Sequence, residues 1–253
     1  MENKRKILLT ATLIITVVLI TYPVRSLVAG YYFHLATSIL RDDGPGKGKA
    51  LPVSERTMPV YLNAVRLLEQ ASVIAPSNSF YYAALSEVYI RMGHWAAAME
   101  LMHAPLPDGS LSSKDAYQKA EDYLKAAIQS DPSNPDTHFA LGNLHDISDR
   151  DTGQAEKELA RAIAAYPVNA SLRYAVAREH LNAGRKGDAI EQAGVLAKII
   201  DKNRNTPGNY LVRAFEIAWR ASGDPEVVMG ICPDEPRARE AVKKFLALKG
   251  TRE

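Results

Sequence analysis

The sequence predicts an all-α protein: one N-terminal transmembrane helix followed by a solenoid of helical hairpins. Three observations predict it. A basic triplet, Lys4, Arg5 and Lys6, precedes a run of 18 uncharged residues from Ile7 to Val24. Further along, an Ala, Leu, Ala, Pro series at steps of four, three and five occurs in three copies. In most copies a second amphipathic stretch stands ahead of the series.

The apolar run comes first. At about 1.5 Å per residue, a helix of that length covers roughly 27 Å, the thickness of a bilayer's hydrocarbon core. Its threonines can bond back to helical carbonyls, and Tyr22, Tyr31 and Tyr32 suit the far interface. A cleaved leader would need a shorter apolar core and a small-x-small site. The only candidate lies near Leu27-Val28-Ala29, close behind Arg25. The length of the run favours an uncleaved anchor. The basic triplet matches the positive-inside pattern, which keeps residues 1–6 in the cytoplasm and sends the chain beyond Arg25 across the membrane. In a bacterium that places a single-pass protein in the inner (cytoplasmic) membrane, with its repeats in the periplasm.

The repeat follows. Ala64, Leu68, Ala71 and Pro76 form one copy. Ala120, Leu124, Ala127 and Pro132 form the next, then Ala155, Leu159, Ala162 and Pro167. A fourth reads Ala189, Ala193, Leu196 and Asp201, with the proline replaced. The alanines let a neighbouring helix approach closely and the leucine fills the gap. Proline stops the helix, because it lacks an N–H and restricts the residue before it.

The partner helices are expected over 80–92, 136–148, 171–183 and 207–222. Gly93, Gly184 and Gly223 are expected to close three of them with positive φ. Ser77-Asn78-Ser79, Ser133-Asn134-Pro135-Asp136 and Thr206-Pro207 carry the residues of helix starts.

This pattern resembles the tetratricopeptide repeat (TPR), a helix–turn–helix unit of about 34 residues. Leu85, Tyr89, Gly93 and Ala98 carry the resemblance in one copy. Leu141, Gly142, Ala155, Leu159, Ala162 and Pro167 carry it in the next, then Ala177, Gly184 and Ala189. It covers roughly residues 57–202.

Four segments follow: the basic tip and anchor over 1–25, a degenerate first helix and flexible loop over 26–56, TPR-like repeats over 57–233, and a capping helix over 234–253. The polar, glycine-rich 41–56 stretch reads as a loop. Residues 104–113 read as an insertion, after a short helix around Trp95–His103. In the capping helix Ala241, Phe245 and Leu248 are expected inward, with Glu240, Lys243 and Lys244 outward.

Composition narrows the function classes. A net charge of +2 gives no general attraction to nucleic acid. Cys232 is the sole cysteine, which excludes an internal disulfide and paired-cysteine metal sites. It reads as a small half-buried hydrophobe. No phosphate loop, His-Glu-x-x-His or Gly-x-Ser-x-Gly occurs. His138 and His145 lie two helical turns apart, about 10 Å, too far to share one metal; packing is the expected role, as for His94-Trp95. The expectation is a non-enzyme with no cofactor.

The TPR resemblance implies a concave surface lined by the first helix of each hairpin. It assigns Ala83, Glu87, Ile90 and Arg91 to that surface, then Phe139, Asn143 and Asp146. Tyr174, Arg178 and Asn182 follow, then Arg213, Ile217 and Arg220. Arginine forks suit carboxylates and asparagine amides suit extended backbone. The partner-binding candidates are Glu87, Arg91, Asn143, Asp146, Tyr174, Arg178, Arg213 and Arg220. The implied role is a scaffold or assembly factor for an envelope or bioenergetic membrane complex, its partners a peptide segment or complex subunits. A permanent structural subunit is the alternative, and an enzyme with a cryptic site a remote one.

Overall fold

Small residues decide where these helices meet. Ala64, Leu68, Ala71, Ala120, Leu124, Ala127, Ala155, Leu159, Ala162, Ala189, Ala193 and Leu196 are each no more than 1% exposed. All four copies of the spacing thus face inward, as a stripe at helical period must when it carries the packing. The computed structural model describes residues 23–40, 52–107, 109–148, 152–202 and 210–250. The described residues hold α1 (residues 23–39), α2 (Met58–Ile74), α3 (Ser79–Leu101) and α4 (Ser113–Ser130). They continue with α5 (Pro135–Ser148), α6 (Thr152–Ala165), α7 (Ala170–Asn182) and α8 (Lys186–Lys202). The last are α9 (Tyr210–Ser222), α10 (Pro225–Gly230) and α11 (Pro236–Gly250). Most of the uncharged run, residues 7–22, lies outside the described residues, as do 41–51 and Thr206-Pro207. Among the described residues no helix is long and apolar enough to cross a membrane.

Proline sets the helix ends as its chemistry requires. α2, α4 and α6 each stop two residues before a proline, at Ile74, Ser130 and Ala165. The residue before proline is kept out of the helical region, so the helix closes one position earlier. α8 has Asp201 where the others have proline, and it runs on to Lys202. At the starts, the side chains of Asn78, Ser112 and Asn169 accept from Phe80, Asp115 and Leu172 N–H groups. Asn134 accepts from Asp136 N–H at 3.0 Å, satisfying a first-turn donor of α5.

The chain forms two compact units, residues 1–132 and 133–253. In the first, α3 and α4 make the principal hairpin and α2 packs on α3. Ala29 of α1 is buried with Ala71 and Tyr81, and the Phe33 and Tyr81 rings lie 5.4 Å apart. α3 corrects the sequence reading. It is a single 23-residue helix, so the separate helix around Trp95–His103 is its continuation and Gly93 does not end it. Gly93 is buried mid-helix, and a Cβ there would sit 2.5 Å from the Tyr117 ring. The glycine serves close approach, while the ring hydroxyl meets His94 Nδ1 at 3.0 Å.

In the second unit, α5 pairs with α6 and α7 with α8, and α9 packs against both α7 and α8. Gly142 of α5 is another close-approach glycine, where a Cβ would meet Leu159 at 2.9 Å. Gly184 and Gly223 do take positive φ, +78° and +70°. Phe215, Ala218, Val228, Val242 and Phe245 build a core from α9, α10 and α11, with half-buried Cys232 beside it. The inward face of α11 is therefore Ala238, Val242 and Phe245, with Ala241 at its margin; Leu248, expected inward, is 68% exposed. At about 100° per residue Leu248 stands to one side of the Ala238, Val242 and Phe245 stripe, whereas Lys249, one residue on, lies over the Phe245 ring and reaches Glu216 of α9 at 2.8 Å.

Candidate functional site: the α5, α7 and α9 face

The first helices of the second unit lie side by side, α7 touching α5 on one flank and α9 on the other. That contact makes one surface from three helices. On it the Tyr174 and Tyr210 rings meet edge to face at 6.0 Å. Arg213 lies over both, its guanidinium carbon 5.1 Å from each ring centroid. Tyr210 and Arg213 stand three apart on α9, so they share a helix face. A stacked guanidinium is held by the ring quadrupoles without consuming its N–H donors. Arg213 is exposed and, among the described residues, no carboxylate pairs with it. The rings hold the guanidinium while its N–H groups stay open to solvent.

Toward α5 the surface becomes polar. With its nitrogen turned to Glu179, the Asn143 amide donates to both carboxylate oxygens at 3.0 and 3.3 Å, linking α5 to α7. Burial pushes the Glu179 carboxyl above its ordinary range, and the Asp146 carboxylate adds to that; Arg178 and Arg185 oppose it. Arg178 is exposed beside Glu179, and Arg220 is exposed in the last turn of α9.

Asp146 is held differently. Its two oxygens accept from Arg185 at 2.7 and 2.6 Å, in a bidentate pair whose side chains are 6% and 10% exposed. Arg185 Nε also donates to His180 Nδ1 at 2.9 Å, which requires a neutral ring with its proton on Nε2. Burial, and then the neighbouring Arg185 charge, lower the His180 pKa from its ordinary 6.5. Asp146, Arg185 and His180 thus staple α5 to the end of α7 beneath the surface. Ile217 likewise faces the core, packed with Ala193, Leu196 and Ala214. A second buried pair, His138 Nδ1 with Glu158 Oε2 at 2.7 Å, locks α5 to α6. Its role is packing between helices, and Arg161 binds the other Glu158 oxygen at 2.6 Å.

Glu87 and Arg91 belong to the first unit, on α3, and form an i, i+4 ion pair with each other. Nearby, the Tyr89 and Tyr123 rings stack at 5.6 Å and Tyr123 donates to Glu69 at 3.0 Å. Burial and the Glu69 charge push the Tyr89 pKa up to about 12. Tyr210, Glu179 and Arg185 escaped the sequence reading. Tyr210 could have been found one turn ahead of Arg213; Arg185 sits in a turn, where helical spacing assigns no face.

These helices define an all-α protein built of helical hairpins. No family model matches the sequence, and no curated protein matches it. Solved structures similar to the chain include a crystal structure of MamA protein, at 16% identity over 89% of this chain and 96% of that one, TM-score 0.48. YrrB, described as "a TPR protein with an unusual peptide-binding site", aligns at 16% identity over 84% and 90%, TM-score 0.41. PilF of Pseudomonas aeruginosa aligns at 16% over 90% and 93%, TM-score 0.47. At these identities and scores the likenesses carry no argument, and the hairpin architecture rests on the packing above.

Proposed function

We propose that the protein is a non-catalytic interaction scaffold or assembly factor, tethered by residues 7–24 to a bacterial inner membrane with its repeats in the periplasm. Its α5, α7 and α9 face binds a partner protein. The observation that carries this reading is the Tyr174, Tyr210 and Arg213 platform. An exposed arginine held over two tyrosine rings is ordered before any partner arrives, which lowers the entropy lost on binding. Tyrosine and arginine are also the residue types in which interfaces concentrate their energy. Exposed Arg178 and Arg220 add positive charge, so an acidic segment or a chain's C-terminal carboxylate fits best.

Purifying the full-length protein from membranes in mild detergent tests this reading. A co-purifying protein that is lost from Arg213→Ala but not from wild type supports it. A wild-type protein that emerges alone, at every detergent and salt concentration that preserves its fold, contradicts it. A partner retained at fixed stoichiometry assigns the chain as a permanent subunit; a substoichiometric one assigns it as an assembly factor.

A further inference from the structure

α1 carries two apolar stripes, and only one of them is covered. Ala29 and Ala36 are fully buried, Ala29 against Ala71 and Tyr81 with Tyr32 and Phe33 alongside. The other stripe is Val24, Leu27, Val28 and Tyr31, spaced i, i+3, i+4 and i+7, the repeat of one helix face. These side chains are 56%, 74%, 37% and 62% exposed. Val73, in the last turn of α2, is 79% exposed and extends the patch. Between the two helices an open cavity of about 420 Å³ is lined by Val24, Arg25, Val28, Val73 and Ile74. A helix face turned to water usually carries charge, yet residues 23–40 contain no Asp, Glu or Lys. A contiguous exposed apolar patch of this kind marks a contact surface.

The position of the stripe selects its occupant. It begins at Val24, the last residue of the uncharged run, and continues for two turns, about 10 Å. Amphipathic faces sink about 5–10 Å into the boundary between headgroups and acyl chains. Tyr31 suits that boundary, and Arg25 can extend its guanidinium to lipid phosphates. We propose that Val24, Leu27, Val28, Tyr31 and Val73 seat in the outer boundary of the bilayer, so that the first unit lies against the lipid surface. The inference rests on the membrane anchor proposed above, and it adds a contact from α2, remote in sequence from that anchor.

Val73 therefore gives the test. In full-length protein with Cys232→Ser, Val73→Cys is labelled with an environment-sensitive fluorophore. The protein is reconstituted into phosphatidylcholine and phosphatidylglycerol vesicles, with or without brominated acyl chains. A matched label at Leu101→Cys, at the far end of α3 and 83% exposed, is the control. The expected result is emission at position 73 quenched several-fold more strongly by brominated lipid than at position 101. Protein that floats with the vesicles while position 73 stays unquenched overturns the inference and keeps the anchor. Protein that fails to float overturns both. A label at 73 that is shielded without bromine quenching, and only as protein concentration rises, assigns the stripe to a second copy and overturns the lipid contact.

Discussion

α3 in the first unit and α7 in the second finish in the same hydrogen-bond pattern but reach it with different residues. At the end of α7, Arg185 N–H bonds to His180 C=O at 2.8 Å and Gly184 N–H to Leu181 C=O at 3.1 Å. At the end of α3, Ala104 N–H bonds to Met99 C=O at 2.9 Å and His103 N–H to Glu100 C=O at 3.0 Å. Both are Schellman closures, whose pivotal residue takes the left-handed conformation. Gly184 does so at φ +78°, and His103 at φ +54°. Glycine satisfies that geometry without strain; histidine has a Cβ that crowds the backbone there. Glycine therefore does not set the end of α3: the chain turns at His103, ten residues beyond Gly93, and Gly93 serves the close approach of the Tyr117 ring instead. The turn is secured by Glu100, whose carboxylate accepts from Ser113 N–H and hydroxyl at 2.9 and 2.6 Å, which also lowers its pKa.

The sharpest difference in stability is expected where the second unit has a buried ion pair. Arg185→Met leaves the Asp146 carboxylate buried and unpaired, and should lower unfolding stability by about 3–5 kcal/mol in urea melts. Loss of under 1 kcal/mol would show that water replaces the guanidinium. Next comes Gly93→Ala, which drives a Cβ against Tyr117 and should cost about 1–3 kcal/mol by overpacking. A neutral Gly93→Ala would mean that the ring can withdraw and the close approach is incidental.

The two helix ends predict opposite signs. His103→Gly relieves a left-handed histidine and should stabilise by about 1 kcal/mol, whereas Gly184→Ala should destabilise by a similar amount. Melting curves that moved in the same direction for both would break the comparison. The pH dependence is the smallest effect. His180 is kept neutral in the fold by burial and by Arg185, so its folded pKa lies below its unfolded one. The stability this gives is fully present above the ordinary value of 6.5 and is lost as pH falls through the lowered folded value. His180→Gln should flatten that part of the stability–pH curve.

The second helix of each hairpin was legible because its rule is simple: Ala and Leu at helical spacing mark burial, and proline marks the stop. All four copies follow it, including the α8 extension where proline is missing. Glycine was less legible, since one residue type serves a left-handed turn at Gly184 and interhelical contact at Gly93 and Gly142. Spacing alone does not separate those roles. On the α5, α7 and α9 face, Tyr174 and Arg213 could be placed by register, but spacing cannot show which charges pair beneath a surface. Asp146 and Arg178 lie on neighbouring first helices; one is stapled by Arg185 from a turn, and the other stays exposed. Leu248 shows the limit of an i, i+3 reading: it follows Phe245 by three residues but stands to one side of the Ala238, Val242 and Phe245 stripe, and it is exposed.

The proposal that the α5, α7 and α9 face holds the partner is tested most directly by a quantitative pull-down with full-length protein. Tyr174→Ala and Arg213→Ala are compared with a deletion of residues 105–111, inside the connection between α3 and α4, which keeps Ala104, the Ser112 cap and Ser113. The expected result is that each point variant weakens the partner by about 2 kcal/mol or more, roughly thirtyfold, and that Arg213→Ala, at an exposed position, does so with an unchanged melting curve, while the deletion retains the partner. Full retention by both point variants, with loss only on deletion, would contradict the assignment and move the binding site to the first unit.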